Sequence, residues 1–157
     1  MFSEIKKISS LLLSVAFSSI GFIASITVTV LAAREVSSNP LFVGFPNAVG
    51  VGGAVLGTRM IYLISKTNSQ LNALAFTFLI GALGGAIMFY SLIIDSFLLL
   101  LLGAFILGIG QSATLQTRYA ASFVAGTKFK ATALSLAVWF SVFGSVFGPR
   151  MVLSLIH

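Results

Sequence analysis

Five long apolar stretches, parted by short polar breaks, organise this chain. They run from about Ile8 to Ala33, Pro40 to Ile64, Leu71 to Ile94, Phe97 to Arg118 and Ala131 to Ile156. Each meets the roughly 20 apolar residues that a helix needs to cross a bilayer. The breaks are polar: "REVSSN" from Arg34, "SKTNSQ" from Ser65, a turn holding Asp95, and "AGTKFK" from Ala125. The pattern predicts an all-α integral membrane protein of five transmembrane helices, with no soluble domain or long linker. Lys6 and Lys7 precede the first stretch and "TVLAA" ends it, as in a signal peptide. Its apolar run is about twice the 7–15 residues of a signal h-region, so it reads as a retained helix.

Composition agrees. The chain has 157 residues, of which 58% are hydrophobic and 8% charged; a soluble domain is nearer about 25% charged. The net charge of +6 comes from nine Lys and Arg against three acids. These cations are dispersed among apolar runs, which argues against nucleic acid and for a role in membrane topology. With the N-terminus in the cytoplasm, Lys6, Lys7, Arg59, Lys66, Arg118, Lys128 and Lys130 fall on the inner side. Arg34, offset by Glu35, and Asp95 fall on the outer side, with Arg150 toward it. Tyr62, Tyr90 and Tyr119 lie near span ends, where interfacial aromatics collect. The expected location is the cell membrane, multi-pass, with a cytoplasmic N-terminus. Cysteine is absent, and the single histidine is the last residue, His157. No residue set for a metal, a cofactor or hydrolytic catalysis is evident, so the expectation is a protein that is not an enzyme and carries none of these.

Helices in lipid pack through small residues. The second stretch has Gly44, Ala48 and Gly52, and Gly53 with Gly57; the third has Ala73, Thr77, Gly81 and Gly85. The fourth has Ala104, Gly108 and Ser112, and the fifth has Ala133, Ala137, Ser141 and Ser145 beside Gly144 and Gly148. An internal echo runs through two of these. "GAVLGTRM" from Gly53 and "GSVFGPRM" from Gly144 share the pattern G-x-V-x-G-x-R-M at an offset of 91 residues. At that offset the first and second stretches match the fourth and fifth. The third would match a sixth helix beginning near position 161, beyond this sequence. Three helices repeated three later insert with opposite orientation, a pattern found in secondary transporters.

These residues resemble the N-terminal part of a major facilitator superfamily transporter. Gly144-Ser145-Val146-Phe147-Gly148-Pro149 resembles the G-x-x-x-G-P signature of the family's fifth helix, associated with antiporter-type exporters. "LLGAFILGIGQSATLQTRYAA" from Leu101 is similar to its fourth helix, and "TKFKATALSL" from Thr127 to the basic loop before the fifth. The resemblance implies an N-terminal helical bundle whose sixth helix and C-terminal half are missing from this sequence. It implies an efflux-type secondary carrier that moves a small solute by alternating access. Gly144, Gly148 and Pro149 would form a bend that packs on the other half, with Gly53, Gly57 and Arg59 as their repeat counterparts. Lys66, Lys128 and Lys130 would be cytoplasmic loop cations. Three departures stand out. "GTRMIYLISKTNSQ" replaces the family's G-x-L-a-D-R-x-G-R loop, without its Asp and following Gly. Ala104 stands where the fourth helix often carries an arginine linked to proton coupling. Val152 and Leu153 replace a glycine pair after the signature.

The resemblance also implies that the first and fourth helices line the solute cavity. On the fourth, Gln111, Thr114 and Arg118 follow i, i+3, i+7 spacing and share a face. Gln111 is the deepest strongly polar side chain. On the first, Ser14, Ser18, Ser25 and Thr29 are candidates. Plainer roles stand beside these: Gln111 as an interhelical hydrogen bond, Arg118 as a cation reaching the headgroups, the hydroxyls bonded to their own backbone. Glu4, Glu35 and Asp95 all lie near span ends, so no carboxylate sits mid-membrane and no coupling ion is assigned. Arg150 follows Ala131 by 19 residues, about 28 Å of helix, enough to reach the outer headgroups. The expected partners are the lipid bilayer, a small-molecule solute, and the missing C-terminal half or a second copy. Two other readings remain open, a stand-alone small oligomeric scaffold of the membrane and a non-functional remnant of a transporter gene.

Overall fold

The computed structural model describes residues 2–37 and 40–124, and single positions at 131, 135, 138, 139 and 142; side chains are described for 17–37, 41–117, 119, 120 and those five positions. Four α-helices follow one another: α1 (Phe2–Val36), α2 (Phe45–Thr67), α3 (Gln70–Ile93) and α4 (Phe97–Val124), with a 3-10 turn at Pro40–Phe42. No strand occurs among the described residues. Four stretches are long and apolar enough to cross a membrane: Phe17–Val36, Phe45–Thr67, Gln70–Ile93 and Phe97–Thr117. In hydrocarbon every backbone polar group needs a partner, and continuous helices supply it internally. The fifth expected span, 131–156, lies almost entirely outside the described residues.

The helix ends are set by local chemistry. The second span was expected from Pro40, but α2 begins at Phe45. Pro40 opens the separate 3-10 turn, and Pro46 sits in the first turn of α2, where a missing N–H costs nothing. Two residues join α2 to α3. The Asn68 N–H closes α2 on the Ile64 carbonyl, and Ser69 caps α3 by accepting from the Asn72 N–H at 3.3 Å. The α3–α4 turn is a Schellman-type stop: the Ser96 N–H bonds the Ser91 carbonyl at 3.1 Å, around Asp95 at φ 50°. Ser96 then caps α4 through the Leu99 N–H. A left-handed aspartate is a mild strain that glycine lacks. Asp95→Gly is therefore expected to stabilise the protein by about 0.5–1 kcal/mol, and the β-branched Asp95→Val to destabilise it by at least as much. Melting of the purified variants in detergent checks this; equal melting of the two would discount the strain.

The chain divides into two compact units, one of Met1–Ala24 with Thr114–His157, the other of Ser25–Ala113. Helices α1 and α4 contribute to both. In the second unit, α4 packs against both α2 and α3 through backbone-close contacts. Gly50, Gly53 and Gly57 of α2 meet Ala104, Phe105, Gly108, Ile109 and Ser112 of α4. Gly81 and Gly84 of α3 meet Ile106, Leu107 and Gly110 on another side of α4, and Gly103 of α4 meets Met88. A Cβ on Gly81 would stand 2.7 Å from the Gly110 Cα, and one on Gly84 2.8 Å from the Leu107 Cα. Only residues without a Cβ allow backbones so near. The expected Ala104, Gly108 and Ser112 stripe is buried in this contact. The expected Gly44, Ala48 and Gly52 stripe is not: all three are exposed, and nothing lies within 4 Å of a Cβ on Gly52. In α3 the stripe passes through Gly84 rather than Gly85. A strict four-residue step drifts around a helix of 3.6 residues per turn, and the buried face alternates steps of four and three.

Ala32, Ala33, Met88, Leu100 and Ala104 form the apolar core of this unit, with Val43, Leu92, Phe97 and Leu107 packed against it. The Phe42 ring meets Phe97 edge-on at 6.0 Å. This ties the α1–α2 connection to the start of α4, so the two connections share one end of the unit. Three buried hydroxyls of this unit are satisfied locally, whereas the buried Ser19 Oγ of the first unit has no partner among the described residues. Thr77, Ser91 and Ser112 donate to the carbonyls of Ala73, Met88 and Ile109 at 2.6–2.8 Å.

Candidate functional site

A side-chain hydrogen bond joins distant parts of the chain. The Gln111 Nε2 of α4 donates to the Ser25 Oγ of α1 at 3.4 Å, across 86 residues of sequence. Both residues belong to the second unit and both are partly buried. Thr29, one turn further along α1 and buried, donates its hydroxyl to the Ser25 carbonyl at 2.6 Å. The resulting polar set lies deep in the spans. Gln111 is 14 residues after the start of α4 at Phe97, about 21 Å along a helix, or two-thirds of the way across hydrocarbon about 30 Å thick. The bond to Ser25 is the one side-chain hydrogen bond Gln111 makes among the described residues. It uses one of two amide donors and leaves the carbonyl oxygen as an acceptor. At 3.4 Å it is long, and such bonds between membrane helices are worth only about 0.6 kcal/mol on average. The set is thus a neutral hydrogen-bonding group that can exchange partners cheaply, with no ionised member.

The other expected site residues fall in separate places. Thr114 is buried on α4 but belongs to the first unit. Arg118 lies in α4, and its side chain is outside the described residues. Gly53 and Gly57 are buried against α4, where a Cβ would overlap the Phe105 carbonyl or the Ile109 backbone. Arg59, two residues later, is exposed and makes no ion pair among the described residues. Lys66 is exposed at the end of α2, with its Nζ 4.6 Å from the centre of the Tyr62 ring. Lys128, Lys130, Gly144, Gly148 and Pro149 lie outside the described residues, as do Ser14's side chain and Arg150. Among the described residues no group of His, Cys, Asp and Glu could hold a metal ion.

Ala104 is 4% exposed in the apolar core, and a Cβ on Gly50 would lie 3.3 Å from its carbonyl oxygen. The surrounding packing leaves no space for a long side chain there. Sequence reasoning named both ends of the Gln111–Ser25 pair but could not join them, since nothing in the order of residues marks one serine of α1 over another. Gly50, Gly103 and Gly110 were not singled out at all; only the tertiary contact distinguishes them from exposed glycines such as Gly52.

Two curated relatives align with nearly all of this chain. It is 33% identical over 140 residues to the uncharacterized MFS-type transporter YdeG of Bacillus subtilis (strain 168), covering 89% of this chain and 33% of that protein. It is 33% identical over 147 residues to the uncharacterized MFS-type transporter YddS of the same organism, covering 94% of this chain and 34% of that protein. The chain spans about a third of the length of these relatives. No family model and no solved structure matches it.

Proposed function

Since the chain belongs to the MFS-type transporters, the major facilitator superfamily, we propose that it forms part of the N-terminal bundle of a small-solute carrier that works by alternating access. The observation that carries this reading is the neutral polar set of Gln111, Ser25 and Thr29, deep in the spans of α4 and α1. A polar amide at that depth faces either protein or an aqueous path. The Gln111–Ser25 bond costs little to break, so a solute with donors or acceptors can take the place of Ser25. Thr114 and Arg118 continue along α4 as further contacts to the path. The rest of the carrier, as additional chain or a second copy, supplies the other wall and packs on Gly144, Gly148 and Pro149. Arg59, Lys66, Lys128 and Lys130 lie at the cytoplasmic side of the cell membrane, with the N-terminus, by the positive-inside bias. The direction is export, following the G-x-x-x-G-P signature.

The test is solute flux in proteoliposomes made with the complete polypeptide. Gln111→Leu removes the amide at nearly constant volume and is expected to lower flux about tenfold or more, with melting shifted little. Ser25→Ala is expected to lower it less, because the amide remains. Wild-type flux in Gln111→Leu would remove Gln111 from the path, and no flux of any solute in the wild type would remove the carrier reading.

A further inference from the structure

Between Val36 and Ile94 the chain holds no acidic residue and two cations, Arg59 and Lys66, both on α2. Both are exposed, and neither makes an ion pair among the described residues. With Tyr62 they follow i, i+3, i+7 spacing, so the three share one face of the helix. Lys66 folds back along that face, its Nζ 4.6 Å from the centre of the Tyr62 ring. Arg59 lies one turn beyond the ring, so a cation stands on each side of it along the helix. Deeper in the membrane the same face turns apolar. Val55 is 67% exposed and Leu56 48%, and beside them a Cβ on Gly52 would meet nothing within 4 Å. We propose that this face of α2 binds an anionic phospholipid, its phosphate held by Arg59 and Lys66 and an acyl chain lying along Gly52, Val55 and Leu56.

Charge selects this occupant. The alternation of spans puts seven of the nine cations on this side of the membrane against Glu4 alone, which is the whole net charge of +6. The opposite side balances, Arg34 and Arg150 against Glu35 and Asp95. Basic clusters beside a span attract anionic headgroups. An ethanolamine headgroup would bring its own ammonium to a place with no carboxylate to receive it. Depth agrees. Tyr62 follows Phe45 by 17 residues, about 26 Å of helix, close to the hydrocarbon thickness of about 30 Å and to the level of interfacial aromatics. Arg59 is about 4.5 Å deeper, a gap its long side chain spans. From Arg59 back to the exposed Ala48 is 11 residues, about 16 Å, close to the roughly 15 Å of one leaflet. A second copy offers no such match, because Glu4, Glu35 and Asp95 all lie near span ends and would leave Arg59 unpaired at its depth.

The complete polypeptide is placed in bilayers of equal phosphatidylethanolamine and phosphatidylglycerol with the same tails. It is then extracted in mild detergent, and its retained lipids are measured by mass spectrometry. The expected result is about fivefold enrichment of phosphatidylglycerol, falling as salt is raised. Arg59→Gln and Lys66→Gln are each expected to lower the enrichment about twofold, and together to remove most of it. Arg34→Gln, on the opposite side, is expected to leave it unchanged. Equal retention of the two lipids by the wild type, or enrichment that survives the double substitution, overturns the assignment. A photo-reactive benzophenone side chain at Val55 reads the neighbour directly. Adducts with lipid are expected; adducts formed only with another helix or a second copy also overturn it. Neither readout depends on solute flux, so failure here is distinct from failure of the carrier proposal.

Discussion

Replacing Gly53 by alanine is expected to destabilise the helical assembly by about 1–3 kcal/mol, while the same change at Gly52 leaves it unaltered or slightly more stable. The two glycines are neighbours, and their sequence contexts are nearly the same. Their surroundings are opposite. A Cβ on Gly53 overlaps the Phe105 carbonyl and the backbone around it, whereas a Cβ on Gly52 meets nothing within 4 Å. Backbone cannot swing aside as a long side chain can, so α2 must lift from α4. That would separate Gly57 from Ile109 and Ser112 one turn on, and Gly50 from Gly108 one turn back. Gly108→Ala approaches the same contact from the other helix and is expected to match Gly53→Ala. Melting of the three variants in one detergent reads the difference directly. If Gly52→Ala and Gly53→Ala melt together, α2 and α4 do not pack through this face.

Ala104→Arg is expected to cost about 4 kcal/mol or more and to prevent the protein from being recovered folded. The resemblance matches this position to a membrane arginine of related fourth helices. In this chain Ala104 is enclosed by Ala32, Ala33, Met88 and Leu100, with the Gly50 backbone against it. A guanidinium there would bring both volume and an unpaired charge into a site with space for a methyl group. Ala104→Ser is the control. Its small hydroxyl can bond the backbone of its own helix, as Ser112 does with Ile109, and it is expected to melt within about 1 kcal/mol of the wild type. Recovery of a monodisperse Ala104→Arg protein with unchanged melting would show that the core is open at this point. In the second unit, α4 presents an amide at Gln111 and an alanine at Ala104.

Much of the architecture was legible from the order of residues. Apolar runs long enough for a bilayer mark the spans, because hydrocarbon penalises any unpaired polar group over their whole length. The polar breaks from Ser65 to Gln70 and around Asp95 coincide with the α2–α3 and α3–α4 turns found in the structure. The resemblance to the major facilitator superfamily, first carried by short motifs, agrees with the two relatives that align with most of the chain. The start of α2 was less legible. Pro40 and Pro46 can each open a helix, and only the 3-10 turn at Pro40–Phe42 shows which one does.

Tertiary contacts distinguish the small residues that matter and the hydroxyl that Gln111 meets. The physical reason is that lipid rewards an apolar residue on any face of a helix. Composition and length therefore determine that a segment spans. They do not determine the angle at which it turns its glycines. That angle comes from pairwise backbone approach, seen in Gly53 against Phe105 and Gly84 against Leu107, and it differs between adjacent positions with equal hydropathy. The order of residues thus suffices to establish a multi-pass helical membrane protein and to locate its described spans. Only the tertiary structure placed Gly53 inside and Gly52 outside, because a difference of one residue, about 100° around the helix, costs nothing in lipid and everything at a backbone contact.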